Sequence, residues 1–116
     1  MPSQTVLQPD GRLAVFSTVV DNFTVINADD IEVYEHYLRD MGRREAREKV
    51  LRGKDDPTFE RWHDSWDRIA MQHGEKGVRE MATEIGVEVD PRWIEACRKY
   101  EKEREDERQR EAKRGR

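Results

Sequence analysis

Three histidines and a single cysteine are the side chains of this chain best suited to chemistry. Glu32 and His36 stand four residues apart, as do His63 and Asp67, so each pair shares one face of a helix. Two such pairs on neighbouring helices would offer a metal ion mixed nitrogen and oxygen ligands. Neither has a recognised spacing such as His-Glu-x-x-His, and His73 has no comparable partner, so no metal and no cofactor is expected. Cys97 falls at helical spacing from Trp93, Ile94 and Tyr100. A reactive thiolate needs a neighbouring base, cation or helix N-terminus, so a small buried hydrophobe is the expectation. The glycines at positions 11, 42, 53, 74, 77, 86 and 115 are scattered as turn and cap residues and build no phosphate-cradling loop. With 26 acidic residues, no one carboxylate pair stands out. The chain reads as non-catalytic, without a small-molecule substrate.

Around these residues the pattern demands a tryptophan-bearing helix. In the stretch from Asp55 to Gly74, Phe59, Trp62, Trp66, Ile69, Ala70 and His73 repeat at intervals of three and four, the spacing of one face. Asp56 is placed to cap it, Pro57 suits the first helical position, and Gly74 suits its end.

Ahead of it lie the strand signals. Thr5 to Gln8 precedes the turn Pro9-Asp10-Gly11, and Arg12 to Val20 is rich in β-branched and aromatic residues. With Asp21-Asn22 as a turn, Phe23 to Ile26 completes a three-stranded antiparallel meander. That register sets Val20 opposite Phe23, Thr18 opposite Val25 and Phe16 opposite Asn27. One face then holds Val6, Ala14, Phe16, Val20, Phe23 and Val25. The other holds Leu7, Leu13, Val15, Val19 and Ile26. A sheet with one wet face alternates apolar and polar residues, and this one does not. Either helices wrap both faces, or a second chain covers one of them.

Asn27 is placed to cap a helix carrying Ile31, Tyr34, Leu38 and Met41. Gly42 breaks it, and a second helix runs from Arg43 to Arg52. Beyond Gly74 a shorter helix spans Glu75 to Ile85, and Asp90-Pro91 starts a last one bearing Trp93, Ile94, Cys97 and Tyr100. From Glu101 onward only Ala112 is apolar, and acid–base pairs such as Glu101/Arg104 and Glu105/Arg108 sit three apart.

Val78 to Val87 resembles the first helix and turn of helix-turn-helix DNA-binding domains, with Ala82, Gly86 and Val87 matching. The resemblance implies a small DNA-binding regulator using residues 75–99. Farther on, Arg92 and Glu95 occupy places where the pattern has aliphatics, and Asp90 and Glu95 sit where phosphate contacts want bases.

Charge is unevenly spread. Residues 1–40 hold seven acids against two bases, while residues 98–116 hold nine bases against six acids. That contrast suits a protein partner of mixed charge better than a nucleic acid or an anionic membrane. One cysteine, no long apolar run and no signal-peptide layout point to a cytoplasmic setting.

The reading is an α+β fold. A meander over 5–27 and four or five helices over 28–100 form one domain, and 101–116 a charged, solvated helical tail. The expected role is a non-catalytic protein–protein interaction module, a small adaptor or inhibitor that forms a homodimer. Leu13, Val15, Val19 and Ile26 are its expected apolar anchors, and Tyr34, Tyr37 and Trp62 its aromatic ones. The alternative is the DNA-binding regulator.

Overall fold

Pro9-Asp10-Gly11 reverses the chain as its composition requires, with the Gly11 amide donating to the Gln8 carbonyl at 2.9 Å and Gly11 at φ +90°. In the computed structural model, which describes residues 3–114, this turn joins β1 (Ser3–Leu7) to β2 (Leu13–Ser17). β3 (Asn22–Ala28) follows, then α1 (Asp30–Leu38), α2 (Arg43–Lys54), α3 (Glu60–Ile85) and α4 (Pro91–Arg114). The fold is α+β: a three-stranded antiparallel sheet in the order β1-β2-β3, then four helices. The chain divides after Ser65 into two compact units. Among the described residues no helix is long and apolar enough to cross a membrane.

In the first unit, β2 is the central strand, and Leu13, Ala14, Val15 and Phe16 are all buried. Its doubly apolar pattern is that of a strand covered on both sides. Leu13 and Val15 pack with Ala28, Val33, Tyr37, Ala46 and Val50, so α1 and α2 cover that face. On the alternate residues of β2, Phe16 meets Phe23 edge-on, with ring centroids 5.4 Å apart, and Phe23 meets Trp62 at 5.7 Å.

The register differs from the sequence expectation. Phe16 pairs with Phe23, Val15 with Val25 and Leu13 with Ala28, with irregularities between these pairs. Thr18 to Asp21 form the connecting turn, because the Ser17 hydroxyl accepts the Val19 amide at 3.2 Å and Asp21 takes φ +50°. The shifts move Val25 onto the Leu13/Val15 side, and they leave Val19 and Val20 in the turn rather than on a sheet face.

Asn27 does not cap α1. It sits at φ +53° within β3, while Asp29 caps the helix in a reciprocal box with Glu32. α3 begins at Glu60, later than Pro57 suggested. Phe59 has φ +55°, which a helix cannot pass through, and the Asp56 carboxylate accepts the amides of Glu60 and Arg61.

In the second unit, Gly74 leaves the helical conformation (φ +69°, ψ −167°), so α3 is two helical stretches joined at a kink where the sequence placed a helix end. It stops at Gly86, where the amides of Gly86 and Val87 both donate to the Ala82 carbonyl. Asp90 accepts the Arg92 amide at 2.9 Å, starting α4 as its sequence predicts. Trp66 and Trp93 stack at 4.0 Å with planes 10° apart, and Val78, Ala82 and Cys97 are buried. α4 is continuous across residue 100, and residues 101–114 are exposed.

Candidate functional site

α1 and α2 are antipodal in charge. Asp30, Glu32 and Glu35 lie on the first, whereas Arg43, Arg44, Arg47, Lys49, Arg52 and Lys54 lie on the second, with Glu45 and Glu48 between them. Val33 and Tyr37 turn inward from α1, and Ala46 and Val50 turn inward from α2, at the i, i+4 spacing of a buried stripe. The same helices leave a second set of apolar side chains outside. Ile31 is 66% exposed and Leu51 is 56% exposed, with half-buried Tyr34 beside them.

Together these residues line an open groove. One lobe of about 390 Å³ lies against Ile31, Tyr34, Arg47, Val50 and Leu51. The next, of about 420 Å³, keeps Tyr34, Arg47 and Leu51 and adds Arg43, Arg44 and Glu48. Asp30 and Lys54 join in an ion pair of 2.6 Å, and Asp30 borders the first lobe. Arg43, Arg44 and Arg47 are exposed and hold no ion pair among the described residues. Gly42, at the start of α2, supplies no side-chain cap, so the positive end of the helix dipole opens beside the first two of these arginines.

Behind the groove, the α2–β1 contact holds the helix in place. The Lys49 ammonium donates to the Ser3 carbonyl at 2.8 Å and lies 4.9 Å from the centre of the Tyr37 ring. Partial burial, then the nearby Arg52 charge, draws the Lys49 pKa down. The Thr5 hydroxyl donates to the Tyr37 hydroxyl at 3.1 Å, and burial raises the pKa of that phenol. Gly53 lies so close to Thr5 that a Cβ there would overlap its side chain.

The residues expected to anchor a partner are dispersed. Leu13, Val15 and Tyr37 are enclosed in the first unit's own core, and Trp62 is buried beside Phe23. α1 and α2 cover the sheet face that the sequence left open to a second chain. Val19 is exposed, but on the β2–β3 turn, and Ile26 is half-buried in β3. Of the seven, only Tyr34 borders the groove. Ile31, expected on the same helix stripe as Tyr34, belongs there too, and so does Leu51 from α2. The signal for them was a surplus: α1 and α2 carry more apolar positions than one buried stripe holds.

Neighbours compete for the carboxylates of both histidine pairs. Glu32 accepts the Asp29 amide in the capping box, and Asp67 accepts the Tyr100 hydroxyl at 2.7 Å. Among the described residues no three metal-ligating side chains of the His, Cys, Asp and Glu types cluster. In the helix-turn-helix-like stretch, Arg92 is held by Asp90 at 2.8 Å, and exposed Glu95 follows on the same helix.

No family model, curated protein or solved structure matches the chain.

Proposed function

We propose that the chain is a non-catalytic module that binds another protein through the α1–α2 groove. The observation that carries this reading is the apolar strip of exposed Ile31 and Leu51 with half-buried Tyr34, set in a concave surface and rimmed by three arginines without ion pairs among the described residues. An apolar centre with a polar rim is the general anatomy of a protein interface, and tyrosine and arginine are the residue types that concentrate its energy. Relative to the sequence reading the role stays the same and its address moves, from the sheet to the outer side of the two helices that cover it.

Selection from a random peptide display library tests the reading. Peptides enriched on the unaltered protein should be lost on Leu51→Asp, whose side chain is exposed and whose fold is retained by circular dichroism. A library that yields no binder, or binders that ignore Leu51→Asp and Ile31→Asp alike, would remove the groove from consideration.

A further inference from the structure

The groove is chemically graded along α2, and the gradient describes its occupant. Ile31 and Leu51 lie at the end marked by the Asp30–Lys54 pair, where an acid and a base already satisfy each other. Arg43 and Arg44 lie at the other end, and Arg47 stands one turn further along, bordering both lobes with Tyr34 and Leu51. From Arg43 to Leu51 the helix rises about 12 Å, at ~1.5 Å per residue, enough to face roughly two turns of a docked helix.

Resting on the binding role assigned above, we propose that the occupant is a short acidic amphipathic segment of another protein. Its apolar side chains would cover Ile31, Tyr34 and Leu51, and its carboxylates would engage Arg43, Arg44 and Arg47. Three considerations select this chemistry. Guanidinium groups bind carboxylates in paired, planar hydrogen bonds, and these three hold no carboxylate among the described residues. The uncapped start of α2 adds partial positive charge at the same end. The apolar strip is also short. A stable dimer takes about 800 Å² from each partner, more than a few partly exposed side chains supply, whereas helix-in-groove recognition needs only two or three apolar anchors.

The test uses two fluorescein-labelled synthetic peptides with identical leucine positions, one with aspartate and glutamate between them and one with lysine and glutamine. Fluorescence anisotropy should show the acidic peptide binding at least tenfold more tightly, with the advantage shrinking as salt is raised. Arg43→Glu/Arg44→Glu/Arg47→Glu should reverse the order of the two peptides, and Leu51→Asp should weaken both. Circular dichroism confirms that each variant is folded. Equal binding of both peptides, unaffected by the arginine changes but lost with Leu51→Asp, would overturn the acidic assignment and leave the groove as a binding site. No binding of either, together with an empty display selection, would overturn both. A single-stranded oligonucleotide that outcompetes the acidic peptide, or light scattering that shows a dimer abolished by Leu51→Asp, would replace the proposed occupant.

Discussion

Gln8 grips Asn27 with both ends of its amide: its Oε1 accepts the Asn27 backbone N–H at 2.7 Å, and its Nε2 donates to Asn27 Oδ1 at 2.9 Å. Gln8 is fully buried, directly after the first strand, and Asn27 carries the left-handed backbone that shifts the register of the third. The pair ties the two outer strands together at one end of the sheet. Gln8→Leu keeps the volume and deletes both bonds, so it should cost about 1–3 kcal/mol, the penalty for leaving polar groups unmatched inside a protein. Denaturant midpoints measure this, and a loss within a few tenths of a kcal/mol would deny the latch a structural role.

Gly53 should resist enlargement. A methyl group there would overlap Cβ and Cγ2 of Thr5 and crowd its backbone carbonyl oxygen. Gly53→Ala is expected to destabilise by about 1–3 kcal/mol, although alanine is the better helix former. The overlap is with Thr5 Cβ as well as Cγ2, so it takes glycine to relieve it, and Gly53→Ala should cost less when Thr5→Gly is also present. Additive losses in a thermal-melting cycle would show that the two side chains do not meet.

Tyr100 should titrate late. Its hydroxyl donates to Asp67, and that bond, then burial and the negative charge of Asp67, push its pKa up to about 12. Since this lies above the ordinary value near 10, the group favours the folded state fully below pH 10. The contribution is lost as the pH rises from 10 to about 12. Ultraviolet titration should show two late-ionising tyrosines, Tyr37 and Tyr100, of which one returns toward pH 10 in Asp67→Ala and is removed by Tyr100→Phe.

Cys97 should be inert while the second unit is folded. It is buried, and desolvation followed by the charges of Glu75 and Glu101 raises its thiol pKa. Ellman's reagent at neutral pH should label it only as fast as the unit opens. Trp93→Ala removes one ring of the Trp66–Trp93 stack, should cost about 3–5 kcal/mol, and should speed the labelling accordingly. Rapid labelling of the unaltered protein would place the thiol at the surface.

Element types were readable because local chemistry specifies them. Pro9-Asp10-Gly11, Gly42, Gly86 and Asp90-Pro91 each act within a turn of where they stand, and the structure uses each for a reversal or a helix end. The strand register was not readable in the same way. It depends on the Ser17–Val19 turn and on the contact of Gln8 with Asn27, nineteen residues away, and neither leaves a mark in the alternation of apolar residues. Phe59 is a similar case, since a bulky residue at positive φ contradicts its own propensity and is held by the Asp56 turn around it. The groove was half legible. Tyr34 stands out in the sequence as an aromatic anchor, but which of the apolar residues on α1 and α2 face outward depends on how the two helices roll on the sheet, and that follows from packing.

The meander has a kinetic consequence. Each strand pairs with its successor, across connections of only a few residues, so little chain entropy is spent before the first hairpin contacts form. Such hairpins close in roughly 1–10 μs, and a growing polypeptide can zip all three strands once Ala28 has emerged. The ribbon then waits for Lys49 and Gly53 to arrive and settle on its first strand. Between those two moments its apolar surface stands uncovered, and during synthesis this interval of 25 residues is when the young chain is most open to misassociation.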